Sequence, residues 1–220
     1  MTHYFSFPLS NELQGSIDGL LAEHAQGRYA APETSTKLAI GTTDGVIKAL
    51  ALDVIDILKA GGEGAGILDV LARLLKSTMH VLIKQIMGKV DHGEQDKLAA
   101  YLRNRRVVVN DQPRFGFVMP DSVGERFQGL LQRIAAGDLA NSRGELTQAM
   151  GSFIELAVAS FYDEFTGALD LGMIKRKLVD VGRGTIIKGS QTAVNKLFSS
   201  MHDEELKQVA AHYATMFVKV

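Results

Sequence analysis

Two strongly apolar stretches joined by a glycine-rich segment constrain this fold more than any other feature of the sequence. They cover residues 43–60 and 67–89, and residues 61–66 between them read GGEGAG. In both stretches apolar residues recur at the spacing of one face of a helix. The sequence therefore predicts a helical hairpin that turns at a glycine hinge and buries two apolar stripes.

The second of these helices is basic on the side opposite its apolar stripe. Arg73, Lys76, His80 and Lys84 lie on that side. The stripe that we expect to be buried contains six residues: Ile67, Leu71, Leu74, Leu75, Leu82 and Ile86. A partner helix is the expected cover for the apolar side and water for the basic side.

One region of the chain has β character. Residues 107–109 and 115–119 are mostly β-branched or aromatic, and residues 110–114 between them form a turn-like segment. We predict a β-hairpin over residues 106–119, which must pack on helices or pair with another chain because isolated hairpins are marginal in water. Residues 1–9 show no periodicity and are predicted to form an aromatic N-terminal arm.

The rest of the chain shows helical periodicity interrupted by caps and glycines. An aromatic stripe that includes Phe153, Phe161 and Phe165 predicts a long helix after residue 142, whereas residues 182–190 predict a loop or an interrupted helix. We therefore expect one mainly α domain over residues 1–220, a bundle of roughly six to eight helices with one small β-hairpin.

Composition excludes several classes of site. The chain has 220 residues and no cysteine, so disulfides, thiolate metal sites and thiol catalysis are absent. The net charge is −1, which argues against general nucleic-acid binding. No stretch without charges approaches the length of a membrane span, and the first residues do not resemble a signal peptide. The expected location is the cytoplasm.

The sequence contains no catalytic motif. The six histidines have no metal-ligand spacing, and Lys188 precedes Gly189, whereas a phosphate-binding loop places its lysine after the second glycine. Glu155 interrupts an apolar helix but lies opposite the predicted buried stripe. We accordingly predict no catalytic residue, no metal ligand and no cofactor, and the chain is not expected to be an enzyme.

Basic clusters are the one set of candidate contacts. They would meet an anionic surface such as lipid, although charged helix faces also occur for solubility alone. Six residues are named as tentative anionic-surface contacts: Arg73, Lys76, Lys84, Lys175, Arg176 and Lys177.

Three functions remain open from the sequence. The leading hypothesis is a non-enzymatic assembly module that associates with itself or with another protein. The second is a peripheral membrane protein whose glycine hinge opens on anionic lipid. The third is a small-molecule binder with a pocket between helices near Phe153, Phe161 and Phe165.

Overall fold

The protein is mainly α-helical, as predicted. The computed structural model describes residues 1–61 and 66–220, so residues 62–65 of the predicted hinge lie outside the described part. The helices are α1 (Asn11–Ala25), α2 (Pro32–Ile47), α3 (Asp53–Gly61), α4 (Gly66–Ile86), α5 (His92–Asn104), α6 (Asp121–Ala135), α7 (Leu139–Val158), α8 (Glu164–Gly167), α9 (Met173–Ser200) and α10 (Asp203–Ala214).

A small antiparallel sheet accompanies the helices. Its strands are β1 (His3–Phe7), β2 (Arg106–Val109), β3 (Gln112–Met119) and β4 (Phe217–Lys219), in the order β2-β3-β1-β4. Strands β2 and β3 form the predicted hairpin, and its two turn residues, Asn110 and Asp111, have φ of 50° and 61°. Asparagine and aspartate tolerate this left-handed conformation better than most residues do, which explains their place in the turn.

The N-terminal segment differs from the prediction. Residues 3–7 are not part of an arm but form β1, which lies between β3 and β4. Phe5 is paired with Phe117 on one side and with Phe217 on the other. A strand of five residues with partners more than a hundred positions away has no local signal, so sequence periodicity missed both β1 and β4.

Aromatic rings join the sheet to the helices. The ring of Phe5 lies 4.8 Å from that of Phe153 in α7 and 5.4 Å from that of Phe217, measured between centroids. Phe127 in α6 stacks on Phe217 at 4.1 Å. Phe161 is 5.3 Å from Phe117 in an edge-on arrangement. The sheet therefore forms one wall of the aromatic core.

Helix α9 is continuous where a break was predicted. Residues 182–190 belong to this 28-residue helix, which packs against α4 and α7. A Cβ on Gly182 would lie 2.7 Å from the Tyr162 hydroxyl and 3.2 Å from Leu82 Cδ2. This glycine thus permits close helix packing, and tertiary contacts outweigh its low helix propensity.

Two long helices contain π-helical turns. The first π segment, Lys48–Leu52, joins α2 to α3, and the second, Ala159–Asp163, joins α7 to α8. The first predicted apolar stretch is therefore the C-terminal part of a longer helical run that starts at Pro32. The prediction for α4 was wrong at Leu74, which is 60% exposed.

Candidate ligand cavity between the helices

An apolar cavity of about 250 Å³ lies among the helices. Most of its lining comes from α2, α3, α4, α7 and α9 and from both π segments, and Phe165 of α8 also contributes. Representative lining residues are Val46, Leu50, Ala51, Val54, Leu74, Leu75, Thr78, Phe153, Ala157, Phe161, Phe165, Ile186, Gly189, Ser190 and Ala193. The third predicted function placed a pocket near Phe153, Phe161 and Phe165, and all three line this cavity.

The lining chemistry is that of a hydrocarbon site. No residue of the described lining is charged. Thr42 is buried and donates to the Leu38 carbonyl at 3.1 Å, so its hydroxyl is already bonded. Thr78 and Ser190 are only half-buried, and within the described residues neither side chain has a hydrogen-bond partner. The hydroxyls of Thr78 and Ser190 can therefore still form hydrogen bonds with a ligand, and both lie in the less buried part of the cavity.

The cavity lining includes a strongly exposed side chain, that of Leu74 on α4. Gly189 of α9 also lines the cavity and is half-buried, and among the described residues no atom lies within 4 Å of the place where its Cβ would be. We call the part of the lining at Leu74 and Gly189 the mouth, because the cavity there reaches residues that are open to solvent.

The first π segment is stabilised by side chains of α10. The Asp53 N–H bonds to the Lys48 carbonyl instead of the Ala49 carbonyl that an α-helix would use. His212 Nε2 lies 3.1 Å from the Ala49 oxygen and must donate, because a carbonyl only accepts. The Tyr213 hydroxyl donates to the Leu50 carbonyl at 3.2 Å.

The second π segment has a similar tyrosine contact. The Tyr101 hydroxyl donates to the Phe161 carbonyl at 3.3 Å, and the Tyr162 hydroxyl donates to the Val179 carbonyl of α9 at 2.7 Å. Burial raises the pKa of Tyr101, Tyr162 and Tyr213 well above the ordinary value. The three phenols consequently remain protonated donors that hold the cavity walls in place.

The basic residues predicted on α4 have different environments. Arg73 Nη2 lies 2.5 Å from Asp69 on the same helix. Lys76 and His80 both bind Asp44 of α2, at 3.0 Å and 2.7 Å, so they join α4 to α2. Lys84 is exposed and has no ion pair within the described residues.

The basic residues predicted on α9 lie near its N-terminus. Lys175 is half-buried, and its Nζ donates to the Ile86 carbonyl at the end of α4, at 3.2 Å. Arg176 and Lys177 are exposed and have no ion pair in the described part of the chain. Lys84, Arg176 and Lys177 are therefore the predicted contacts that are free to meet an anion.

No catalytic arrangement emerges from the described residues. They contain no group of three histidine or acidic side chains placed to hold a metal. On the surface Asp96 accepts from the Tyr29 hydroxyl at 3.1 Å and lies 2.8 Å from His24 Nε2. The bond to Asp96 raises the pKa of Tyr29, which is the opposite of activation as a nucleophile. Glu155 is exposed, in agreement with its predicted position.

The sequence did not indicate the π segments or the mouth. A π turn inserts a single residue, and apolar spacing of three to four positions absorbs such an insertion without a visible break. The sequence predicts a loop or an interrupted helix around Gly189. The role of Gly189 in the mouth depends on the position of α4, which is far away in the sequence. Both features arise from packing between distant parts of the chain.

Comparisons with protein-family profiles, curated proteins and solved structures find no match for this chain. None of the helices in the described residues has the length and apolar character needed to cross a membrane.

Proposed function

We propose that this protein binds one apolar or amphipathic small molecule in the cavity between its helices. The observation that carries the proposal is the uncharged cavity of about 250 Å³ with a mouth at Leu74 and Gly189. Ligand sites in proteins are typically concave, mostly apolar and equipped with a few polar groups. The hydroxyls of Thr78 and Ser190 are such groups in this cavity.

The size of the void supports a role for it. An apolar void lacks contacts on one side of its lining side chains, and a ligand that fills it restores those contacts. A ligand that binds only the folded protein stabilises it by mass action, so we expect it to raise the unfolding temperature.

The lining indicates the ligand's chemistry. The interior suits a hydrocarbon chain or ring, because a buried charge would find no charged partner among the described lining residues. An apolar cavity of about 150 Å³ already holds benzene, so this cavity suits a somewhat larger group such as a medium-length chain. A hydroxyl or other uncharged head would lie at the mouth near Thr78 and Ser190.

The other two functions predicted from the sequence are compatible with ligand binding. Self-association, the leading prediction from sequence, is still a prediction that light scattering on the purified protein would check. A protein that binds a ligand in its core need not be monomeric, so the two ideas do not exclude one another.

The binding test uses N-phenyl-1-naphthylamine, an uncharged apolar fluorophore, with 1-decanol as its competitor. We expect saturable fluorescence enhancement, displacement by decanol and a higher unfolding temperature with decanol present. Gly189→Leu places a side chain at the mouth and should weaken binding at least about tenfold, since excluding two methylenes from the cavity corresponds to roughly that factor.

Gly184→Leu is the matched control. Gly184 lies on the same helix and is also half-buried; among the described residues no atom lies within 4 Å of where its Cβ would be, and Gly184 is not in the described lining of the cavity. This variant should bind like the wild type, and circular dichroism should show that both variants are folded. Equal affinity in Gly189→Leu, or no saturable binding by the wild type, would contradict the proposal.

A further inference from the structure

Two rows of exposed apolar side chains lie on neighbouring helices. On α4 the row is Val70, Leu74 and Val81, and on α9 it is Ile174, Leu178 and Val181. Their exposed fractions range from 39% to 86%. Spacings of three, four and seven residues place each row on one side of its helix.

The rows lie on either side of the junction between the two helices. Within α9, the row lies about 40–100° round the helix from the buried Gly182, on the side opposite Arg183. Arg183 bonds to Asp163 in the second π segment, so it marks the side of α9 that faces α7. The apolar row therefore lies on the exposed side of α9, away from α7 and next to the junction with α4.

The same reasoning places the row of α4. Leu74 and Val81 lie about 80–100° round α4 from Leu82, which contacts α9. Lys76 and His80 bind Asp44 and so mark the side that faces α2. The row thus lies on the outer side of α4, and Leu74 also lines the cavity mouth.

Cations border both rows on their outer sides. Arg73 and Lys84 follow the α4 row, and Lys177 and Lys188 follow the α9 row, each within about 100° of it round its helix. From the outer side of α4 to the outer side of α9, the surface therefore has basic residues, the α4 apolar row, the mouth, the α9 apolar row and again basic residues. An apolar strip bordered by lysine and arginine is typical of elements that lie in a membrane interface.

Charge is unevenly distributed over the chain. Helices α4 and α9 contain nine basic and two acidic residues. The rest of the chain has 15 basic and 23 acidic residues, because the totals are 24 and 25. The net charge near zero is therefore the sum of a positive pair of helices and a negative remainder of the chain. This uneven distribution favours an anionic partner for the two helices.

We infer that this α4–α9 face, defined by its two apolar rows and the cations that border them, docks on an anionic lipid bilayer. The six apolar side chains enter the headgroup region, while Lys84, Lys177 and Lys188 meet anionic headgroups. The mouth then opens towards lipid. The docking goes beyond ligand binding and does not depend on it.

Co-sedimentation with vesicles tests the docking. The full-length protein is mixed at low salt with vesicles of phosphatidylcholine alone or of phosphatidylcholine and phosphatidylglycerol in equal parts. We expect pelleting with the anionic vesicles and loss of pelleting at high salt, because surface charges are screened. Replacing Lys177 and Lys188 by Gln should lower partitioning about fivefold for each lysine.

The apolar rows are tested by the double variant Ile174→Ser and Val181→Ser. Both side chains are exposed, so the fold should survive, and partitioning should fall at least about tenfold. The matched control is Val108→Ser with Val118→Ser, which removes two valines of the sheet that are 62% and 59% exposed. For the lysines the control is Lys37→Gln with Lys97→Gln, at exposed sites on α2 and α5.

Three outcomes overturn the docking. They are no pelleting at low salt, unchanged pelleting of the Ile174/Val181 variant, or a dimer in light scattering that this variant dissociates while vesicles are not bound. The last result would assign the face to a second copy of the chain. Gly189→Leu should still pellet, because its substitution affects the cavity and not the docking face. In the wild-type protein, vesicle binding without saturable fluorophore binding would refute the proposed ligand function and leave the docking intact.

Discussion

Tyrosine hydroxyls determine the local geometry of the cavity walls. Tyr213 and Tyr101 donate to carbonyls of the two π segments, and Tyr162 joins the second segment to α9. A buried carbonyl that loses its partner destabilises the fold by about 1–3 kcal/mol. These three side chains therefore help to maintain a backbone geometry that the helices would not adopt on their own.

The raised pKa of Tyr213 predicts an alkaline loss of stability. In the unfolded chain a tyrosine ionises near pH 10, whereas burial keeps the folded Tyr213 protonated to higher pH. The unfolded state thus binds fewer protons above about pH 10, and the free energy of unfolding falls as pH rises from there. This contribution is fully present below that pH.

Tyr213→Phe should reduce the fall in stability between about pH 10 and 11. At pH 8 the variant should be less stable by roughly 1 kcal/mol, because the Leu50 carbonyl loses a donor. Urea unfolding at both pH values measures the two effects separately. An unchanged slope in the variant would show that the Tyr213 phenol ionises as freely in the folded state as in the unfolded one.

Among the helices, α9 shows how one glycine position determines packing. Gly182 lies against Tyr162 and Leu82. For Gly184, two residues further on, the described part of the chain has no atom within 4 Å of a Cβ. Helix propensity treats the two glycines alike, since each is less favourable than alanine by about 1 kcal/mol. Only their neighbours distinguish them.

Gly182→Ala and Gly184→Ala should therefore have opposite effects. The first places a methyl group 2.7 Å from the Tyr162 hydroxyl and should destabilise the protein by about 1–3 kcal/mol as α9 moves outward. The second should stabilise it by up to about 1 kcal/mol. Thermal unfolding checks both, and stabilisation by Gly182→Ala would mean that α9 is not in close contact at this point.

For the whole molecule, the N-terminal strand joins distant parts of the chain. Strand β1 pairs with β3 and β4, and the Thr2 N–H bonds to the Val220 carbonyl at 2.7 Å. Phe5 is completely buried among rings from the sheet and α7. The sheet thus holds the two ends of the chain together under the helices.

Substitutions at the adjacent residues Phe5 and Tyr4 measure how much β1 contributes to the stability of the fold. Phe5→Ala should cost about 3–5 kcal/mol, the usual range for a buried phenylalanine. Tyr4→Ala is the matched control, because Tyr4 is only half-buried on the opposite face of the strand, and its loss should be clearly smaller. Urea unfolding compares them, and a loss below about 1 kcal/mol in Phe5→Ala would place the strand outside the core.

Local pattern was sufficient for the larger elements of this fold. Helical periodicity and turn chemistry correctly predicted the mainly α class, the hairpin of β2 and β3 and the aromatic stripe that runs from α7 through the second π segment into α8. The same stripe also led to the correct wall of the cavity, since Phe153, Phe161 and Phe165 all line it. These features depend on residues close together in sequence.

The sequence by itself determined which residues form helices and which side of most helices is apolar, because those properties follow from spacing along one segment. Only the tertiary structure decided that residues 3–7 form a central strand, that Gly182 permits contact while Gly189 leaves a mouth, and that Leu74 is exposed. It also decided that Lys76 binds Asp44 of α2, whereas Lys84 and Lys177 stay exposed. Each of these depends on the distance between groups far apart in the chain, and packing rather than local propensity sets that distance.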